Sequence, residues 1–330
     1  MRLSEFDFPL PADRIAQEPL ADRSAARMLV VDRASGTWQD RTFREFPSFL
    51  RPDDCLVLND TRVFPARLWG HREGFEGRVQ VFLVRPIPGG NWLTLVHPGR
   101  KVRTGDRIVF APDFAALVLG RNEHGERIVR FECQGDLYAA LDRYGHVPLP
   151  PYIRREDTSA DRERYQTVFA SELGSVAAPT AGLHFTPEVL AQCPGTVARV
   201  TLHIGLGTFQ PLHAEDTAAV RLHPEWFRIT QEASSRILAA RRVVCVGTTA
   251  VRAVETTRGL PGEGETDLFL SPDSRFVVTG AMLTNFHLPR SSLFVLVCGF
   301  AGRELALAAY HHAIRAQYRF YSYGDCMLIL

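Results

Sequence analysis

Three histidines, each in a polar or glycine-rich segment that follows an apolar run, are the first candidates for chemistry. His184 lies within APTAGLHF (178–185), His203 opens HIGLGT (203–208), and His287 lies within TNFHLPRSS (284–292). An imidazole titrates near neutral pH and serves as a general base or proton shuttle. Three interpretations stay open: one shared catalytic cleft, separate structural hydrogen bonds, or a three-histidine zinc site that lacks close ligand spacing.

Small and hydroxyl-bearing residues accompany these histidines. Gly205 and Gly207 form a Gly-x-Gly that does not complete the dinucleotide fingerprint, so it indicates either a ligand loop or a plain turn. Thr248 and Thr249 follow Gly247 at the start of a predicted helix, where free N–H groups favour a carboxylate or phosphate. These segments therefore predict a ligand site made largely from backbone and hydroxyl groups.

Alternating strands and helices in the second half of the chain are expected to position these segments. Strands are predicted at 197–203, 243–247 and 283–285, and helices at 232–242, 250–258 and 304–317. The segment TPE at 186–188 predicts a helix start, with a capping threonine, a first-turn proline and an acid beside the positive helix end. Because open α/β sheets place ligands at strand ends, we expect the polar segments to share one cleft.

The first half of the chain has a different texture. Strands are predicted at 28–31 and 55–58, and short β-type runs then recur at 79–84, 92–96, 107–110, 116–119 and 128–131. One helix follows, with Asp136 to cap it and Gly145 to end it. The sequence predicts a mixed α/β protein with a core domain, first part, at 1–68. A small inserted all-β, barrel-like domain occupies 69–150, and the second part of the core, carrying the site, occupies 151–330.

The charge balance limits the function classes. The chain has 330 residues, with 38 Lys+Arg against 37 Asp+Glu, a net charge of +1. This near-neutral balance argues against a protein that binds nucleic acid by overall charge, but allows a local basic face. Basic residues concentrate at Arg100, Lys101, Arg103 and Arg107, and Lys101 is the only lysine. A lysine-based mechanism is therefore not expected.

Other features point to the cytoplasm. The six cysteines are scattered and form no zinc or redox pair, so reduced thiols are expected. No apolar run reaches the roughly 18 to 20 residues that span a bilayer. The N-terminal residues lack the apolar segment of a secretory signal. We expect no metal and no membrane contact.

Several segments taken together resemble one known family. The longest matches are AAPTAGLHFT at 177–186, LHIGLGTF at 202–209, LTNFHLP at 283–289 and YRFYSYGD at 318–325. Shorter ones are FDF at 6–8, IAQ at 15–17, NDTR at 59–62, PARL at 65–68 and RYQTV at 164–168. In order and spacing, from about residue 6 to residue 330, the chain resembles the S-adenosylmethionine:tRNA ribosyltransferase-isomerase family.

The resemblance implies a step of queuosine synthesis. Members of that family move the ribosyl part of S-adenosylmethionine onto 7-aminomethyl-7-deazaguanine at the wobble position of a tRNA anticodon. Epoxyqueuosine forms, and adenine and methionine leave. S-adenosylmethionine is then a consumed substrate, and no cofactor is implied. The implied fold, a barrel-containing α/β core with a small inserted β domain, agrees with the predicted organisation, and we expect a monomer.

The resemblance and the strand-end pattern together give each candidate residue an expected role. His184, His203 or His287 is expected to be the base or proton shuttle, with Asp325 as a further acid or base. Contacts to S-adenosylmethionine are expected from Thr180, Gly182, Gly205, Gly207, Thr208, Thr248, Thr249 and Asn285. Of these, Thr248 and Thr249 would hold the methionine carboxylate, and Asn285 a ribose or base edge. Contacts to tRNA are expected from Arg62, Arg67, Arg290, Arg319 and Tyr323.

A few positions depart from the family pattern, and two other functions remain open. Ala26, Gln80, Pro224 and the pair at 273–274 differ from the usual residues, but none lies in the four longest matches. One rival is a non-catalytic tRNA-binding protein on the same fold. The other is an S-adenosylmethionine-dependent RNA methyltransferase, which predicts an early glycine-rich loop that this N-terminal region lacks.

Overall fold

Short apolar runs form most of the strands in a computed structural model that describes residues 1–123, 125–205, 212 and 215–330. The strands are β1 (Arg27–Asp32), β2 (Thr37–Thr42), β3 (Asp54–Asn59), β4 (Thr61–Val63), β5 (Arg67–Arg72), β6 (Arg78–Ile87), β7 (Asn91–His97), β8 (Arg107–Ala111), β9 (Phe114–Arg121), β10 (Arg127–Cys133), β11 (Glu172–Ser175), β12 (Thr196–Leu202), β13 (Glu225–Ile229), β14 (Arg242–Val246), β15 (Gly262–Thr266), β16 (Thr279–Asn285) and β17 (Cys326–Ile329). The helices are α1 (Leu137–Tyr144), α2 (Ser159–Arg164), α3 (Pro187–Gln192), α4 (Gln231–Ala239), α5 (Thr248–Thr257), α6 (Ser292–Ala301) and α7 (Arg303–Arg315).

The larger sheet has nine strands in the order β15-β13-β12-β3-β14-β16-β17-β1-β2. Its centre, β12, β3, β14 and β16, is parallel. Both faces of these strands are covered, so successive residues of β14 enter different cores. Cys245 lies opposite Val57 and Met282 of the neighbouring strands and belongs to one core, whereas Val244 belongs to the core on the other face, which also contains Phe43 and Phe185. The carboxyl ends of the parallel strands therefore lie along one edge of a two-sided core.

The second sheet is a closed antiparallel barrel in the order β10-β7-β6-β5-β8-β9. Its core contains the aliphatic Leu68, Ile108 and Val118 together with the rings of Trp92 and Phe114. Helix α1 follows the last barrel strand, and the Asp136 side chain accepts the Ala139 N–H at 3.1 Å to cap it. The barrel closes a six-stranded sheet on itself and leaves no unpaired edge strand in this part of the fold.

The mixed α/β class and the small all-β barrel are confirmed. All five β-type runs of the first half are strands, and the capped helix at Asp136 is present. The strands between Arg67 and Cys133 form the closed barrel, whereas the larger sheet is open and ends in the edge strands β15 and β2. Helix α4 ends earlier than expected, at Ala239, because Arg242 already belongs to β14.

Among the helices that the structure describes, no single one is long and apolar enough to cross a membrane. Helices α6 and α7 reach that length and apolarity only as a pair, and the pair is bent by 115°.

Candidate active site at the carboxyl ends of the parallel strands

A cleft of about 660 Å³, including its open mouth, lies where β12, β14 and β16 end. Five of the residues expected to bind or act on a ligand line it: Thr180, Thr248, Thr249, Asn285 and His287. The other lining residues are Tyr152, Ala177, Ala178, Pro179, Ala181, Ile204, Gly247, Thr284, Leu288, Ser291, Leu293, Tyr321 and Ser322. The structure thus brings together segments that are far apart in the sequence.

The amino terminus of α5 forms one wall of the cleft. Gly247 has a left-handed φ of 88° and turns the chain from β14 directly into the helix. The Asn59 side chain, at the end of β3, donates to Thr249 Oγ1 at 3.1 Å and to the Leu202 carbonyl at 3.0 Å. It thereby fixes this wall to β12. The first N–H groups of a helix have no partner within the helix and carry positive partial charge, so this wall favours a carboxylate.

Asn285 ends β16 and has one free hydrogen-bonding function. Its Nδ2 donates toward His184 Nε2 at 3.2 Å and toward the carbonyls of Tyr321 at 3.2 Å and Asp325 at 3.4 Å. Its Oδ1 is buried and has no partner among the residues that the structure describes. A buried amide oxygen without a partner is costly, and Asn285 lines the cleft, so this oxygen is the candidate acceptor for a ligand there.

His287 is the histidine that lines the cleft. Its Nε2 lies 2.8 Å from Thr284 Oγ1, and its backbone N–H donates to the Tyr310 hydroxyl at 3.1 Å. Burial lowers its pKa to about 3, so the ring is neutral at physiological pH. A neutral imidazole held by a hydroxyl presents a lone pair in a fixed direction.

His184 lies one layer behind the cleft wall, at the end of a short 3-10 helix (Thr180–His184). It contacts Asn285 and a smaller cavity lined by Arg23 and Arg164. Burial and the guanidinium groups of Arg23 and Arg319 lower its pKa to about 4. The structure therefore places His184 where it orients Asn285 rather than where it lines the cleft.

His203 does not line the cleft. Its Nδ1 is 2.7 Å from Thr61 Oγ1, and its ring stacks on Trp226 with a centroid distance of 4.9 Å. The next residue, Ile204, lines the cleft instead, because successive side chains of an extended chain point to opposite sides. The expectation that three imidazoles share one cleft is therefore wrong, because of the three histidines only His287 lines the cleft.

The lowered pKa values of the three histidines, of which His184 and His287 are buried and His203 is half-buried, predict a loss of stability in mild acid. The pKa of His184 and of His203 is lowered to about 4, and that of His287 to about 3, so the unfolded chain binds protons first as the pH falls below 6.5. The free energy of unfolding should decrease from pH 6.5 toward pH 4, by up to about 1.4 kcal/mol per pH unit for each ring. Urea unfolding at several pH values measures this slope. His203→Gln should reduce it by about a third, and an unchanged slope would contradict the assignment.

Asp325 holds the backbone and does not line the cleft. Its Oδ1 accepts the Arg27 N–H at 2.8 Å, and its Oδ2 accepts the Arg319 N–H at 2.8 Å. Burial raises its pKa despite these hydrogen bonds. Because its two oxygens hold the N–H groups at the start of β1 and in the turn before β17, this carboxylate has a structural role.

An aromatic wall joins Tyr321, from the aromatic segment at 318–325, to Tyr152, which was not anticipated from the sequence. The rings of Tyr152 and Tyr321 lie 3.9 Å apart between centroids, and burial raises the pKa of both phenols. Tyr152 also shares a short hydrogen bond with Ser322. Aromatic faces attract cations such as a sulfonium and stack on purine rings. Tyr152 comes just after the predicted domain boundary between residues 150 and 151, and no local signal marks it as a site residue.

The glycines expected at the ligand have different surroundings. Gly205 follows Ile204 and donates its N–H to Glu225 Oε1 at 2.8 Å. Gly182 does not line the cleft. It packs closely against two core side chains, since a Cβ there would lie 2.7 Å from Phe169 Cζ and 2.8 Å from Thr167 Cγ2. Gly207 and Thr208 lie outside the described residues. Gly182 thus allows the 3-10 helix to approach its core neighbours closely.

Gly182→Ala should destabilise the fold near the cleft. The added methyl group overpacks the Phe169 contact, so we expect a loss of about 1–3 kcal/mol in the free energy of unfolding. Gly205→Ala is the matched control, because among the described residues the nearest atom to the added Cβ would be Glu225 Cγ at 3.9 Å. Urea denaturation compares the two variants, and equal stability of both would contradict the packing assignment.

A buried ion pair joins two walls of the cleft. Glu225 and Arg252 are 5 % exposed each and form a short charge-assisted hydrogen bond. Glu225 also accepts the Gly205 N–H, while Arg252 lies on α5 one turn after Thr248 and donates to the Leu268 carbonyl at 3.1 Å. The pair therefore holds the end of β12 against the helix that begins at the cleft.

The residues expected at tRNA are only partly on the surface. Arg62 and Arg290 are exposed, and Arg290 has a left-handed φ of 58°. Arg67 is half-buried and donates to the Leu149 carbonyl at 2.9 Å, and Arg319 donates to the Glu18 carbonyl. Tyr323 is not available for base stacking, because it is 5 % exposed and donates to Asp161 Oδ1 at 2.8 Å. Tyr321, two residues earlier and with a left-handed φ of 74°, lines the cleft instead.

The zinc interpretation has no support in the part of the chain that the structure describes. There, no group of three His, Cys, Asp or Glu side chains is arranged to hold a metal ion. All six cysteines are free thiols.

The fold and the cleft define a class: a mixed α/β protein with a closed small β barrel and a ligand site at the carboxyl ends of parallel strands. Residues 3–329 match the family described as Queuosine biosynthesis protein, and the chain belongs to that family.

The sequence of the chain is similar to that of several relatives over their whole length. The chain is 62 % identical to the S-adenosylmethionine:tRNA ribosyltransferase-isomerase of Solibacter usitatus and 47 % identical to that of Symbiobacterium thermophilum, with all of each chain covered. It is also similar to the crystal structure of S-adenosylmethionine tRNA ribosyltransferase from Thermotoga maritima, at 36 % identity and a TM-score of 0.55. That alignment covers 99 % of this chain and 100 % of the other.

Proposed function

We propose that the protein is an S-adenosylmethionine:tRNA ribosyltransferase-isomerase, a transferase of queuosine synthesis. Its full-length identity of 62 % to a relative of that name is the observation that carries the proposal. Its substrates are tRNA and S-adenosylmethionine. The finer proposal is that the accepting base is 7-aminomethyl-7-deazaguanine at the wobble position and that the product is epoxyqueuosine.

The cleft suits S-adenosylmethionine as a ribosyl donor. The free N–H groups at the start of α5 are suited to its carboxylate, and the rings of Tyr152 and Tyr321 to its sulfonium or adenine. Asn285 Oδ1 is suited to a hydroxyl or amino hydrogen of the nucleoside. We propose that no metal or redox cofactor takes part, because the sulfonium itself activates the substrate.

The reaction needs a base, an acid and tight positioning. The base removes a proton from the ribose methylene beside the sulfonium, and the resulting ylide expels adenine. The amine of the deazaguanine then adds to the former anomeric carbon. The former sulfonium-bearing methylene carbon bonds to the former anomeric carbon, whose bond to the ring oxygen breaks. That oxygen then closes the epoxide on the methylene carbon, which breaks the bond between this carbon and sulfur and releases methionine. The proton that the amine gives up passes to solvent. Adenine takes up the proton that the base removed.

We assign the base and shuttle to His287, because it is the imidazole that lines the cleft. Its lowered pKa makes the neutral ring a weak base, which the acidity of the sulfonium methylene offsets. The same low pKa makes its protonated form a ready donor to departing adenine. His184 is proposed to act through Asn285, and His203 and Asp325 to hold the surrounding backbone.

The assay for the proposed function follows free adenine. The protein is incubated with S-adenosylmethionine and a tRNA that carries 7-aminomethyl-7-deazaguanine. Adenine and methionine released in equal amounts, and only when this tRNA is present, support the proposal. S-adenosylhomocysteine as the product favours methyl transfer, and no consumption of S-adenosylmethionine favours a tRNA-binding protein.

We propose that the protein is a monomer in the cytoplasm, where both substrates occur and free thiols persist.

A further inference from the structure

A cationic turn at one end of the barrel plays no part in the cleft. Residues 99–103, here called the basic turn, include Arg100, Lys101 and Arg103, and all three side chains are exposed. Among the described residues, none of the three forms a salt bridge. The nearby Arg107, by contrast, is paired with Glu73 at 2.9 Å and with Glu132 at 2.8 Å. The structure therefore neutralises Arg107 and leaves the basic turn charged.

A buried guanidinium fixes the shape of the basic turn from beneath. Arg127 is 8 % exposed and donates to the Gly99 carbonyl at 2.6 Å and to the Val102 carbonyl at 3.2 Å. A further bond joins its NH1 to the Gly125 carbonyl at 2.8 Å. No carboxylate partner occurs among the residues that the structure describes. Burial and the nearby charge of Arg121 lower its pKa. A fourth positive charge thus lies behind the three exposed ones.

Neither neighbouring carboxylate, Asp106 or Glu126, forms a salt bridge with the three exposed side chains of the basic turn. Asp106 accepts the backbone N–H of Arg103 at 2.7 Å and lies 3.4 Å from Arg72 NH1. Glu126 accepts the Asn122 side-chain amide at 2.7 Å. Because burying an unpaired guanidinium carries a desolvation cost, an arrangement that also leaves three cations exposed favours an anionic partner.

We propose that the basic turn binds the phosphate backbone of the tRNA substrate, as a contact separate from the cleft. The proposal rests on the proposed function, which supplies a polyanionic substrate. With a net charge of only +1, the protein must attract RNA through local clusters. Guanidinium and ammonium groups pair with phosphate whatever the base sequence, so the basic turn contributes affinity and position but does not select the base.

The test removes the exposed charges and keeps Arg127. In the triple variant Arg100, Lys101 and Arg103 are replaced by Ala, and in a matched control the exposed Arg51, Arg275 and Arg315 are replaced instead. Binding of the tRNA transcript is measured by fluorescence anisotropy at several salt concentrations. We expect the triple variant to bind roughly 10- to 50-fold more weakly, with a salt slope smaller by about 2, and the control to bind within about twofold of wild type.

Turnover distinguishes this inference from the proposed function. At saturating tRNA the triple variant should release adenine at the wild-type rate, with a raised KM for tRNA and an unchanged KM for S-adenosylmethionine. Wild-type affinity for tRNA in the triple variant overturns the inference. An equal loss of tRNA affinity in the control variant also overturns the inference. If wild-type protein releases no adenine, the proposed function fails whatever the binding result.

A further variant tests whether Arg127 fixes the shape of the basic turn. Arg127→Met keeps the exposed cations but removes the bonds to Gly99 and Val102, so folded protein should show part of the same loss of tRNA affinity. Wild-type affinity for tRNA in that variant contradicts the role of Arg127.

Vesicles of phosphatidylglycerol are the alternative polyanion. If they bind more tightly than tRNA, and the triple variant abolishes that binding, the partner is a membrane surface and the proposal is overturned.

Discussion

Asn285→Ala is expected to reduce kcat/KM for S-adenosylmethionine by roughly 10³-fold. The substitution removes the unpartnered Oδ1 from the cleft and also the three contacts of Nδ2 with His184, Tyr321 and Asp325. His184 then loses its partner, and two buried carbonyls lose a donor. Because the loss combines ligand recognition with positioning, we expect kcat to fall and KM to rise together.

The control lies on the same strand at its other end. Thr279 Oγ1 donates to Glu255 Oε1 at 2.7 Å, about 20 Å from Asn285 along β16. Thr279→Val therefore removes a comparable buried hydrogen bond without touching the cleft. It should lower the free energy of unfolding by about 1–2 kcal/mol and leave kcat/KM within about threefold of wild type. Folded Asn285→Ala with wild-type kcat/KM would contradict the assignment of this residue to the site.

His287→Ala is expected to slow adenine release by roughly 10²- to 10³-fold at saturating substrates. The ring is the imidazole of the cleft, and Thr284 fixes its orientation. His287→Gln retains a hydrogen-bonding group but cannot transfer a proton, so it should be nearly as slow. His203→Gln is the matched control, since His203 stacks on Trp226 away from the cleft and should keep most of the rate.

The pH dependence gives an independent readout of His287. Its pKa of about 3 means that it is neutral throughout the range from pH 6 to pH 8. The rate should therefore show no limb from this ring in that range, and the small pH dependence should be the same in wild type and in His287→Gln. A limb near pH 6.5 that disappears in His287→Gln would contradict the lowered pKa. A wild-type rate in His287→Gln would remove this residue as the proton carrier.

Strand ends were predictable because the physics behind them is local. The apolar runs before His203, Gly247 and Asn285 mark buried parallel strands, and the residues after such strands must lie at one edge of the sheet. The start of α5 at Thr248 follows from Gly247, which supplies the left-handed turn. For these reasons the cleft and five of its predicted residues were accessible from the sequence.

Side-chain direction was not predictable in the same way. His203 and Ile204 are adjacent, yet Ile204 lines the cleft and His203 stacks on Trp226. Tyr323 and Asp325 lie in a segment rich in aromatic and charged groups, but their partners, Asp161 and the N–H groups of Arg27 and Arg319, are fixed by tertiary contacts. Tyr152 reaches the cleft from a loop far from Ser322 in the sequence, so its role depends on the closed fold alone.

The most direct test of the central claim follows the ribosyl group itself. The protein is incubated with S-adenosylmethionine that carries ¹³C in every ribosyl carbon and deuterium in its methyl group, together with tRNA bearing 7-aminomethyl-7-deazaguanine. The tRNA is then digested, and the wobble nucleoside is analysed by mass spectrometry. We predict that the nucleoside gains all the ribosyl ¹³C and none of the deuterium, with one adenine released per modified tRNA. Deuterium in the tRNA without ¹³C, or an unlabelled nucleoside after S-adenosylmethionine has been consumed, would contradict ribosyl transfer.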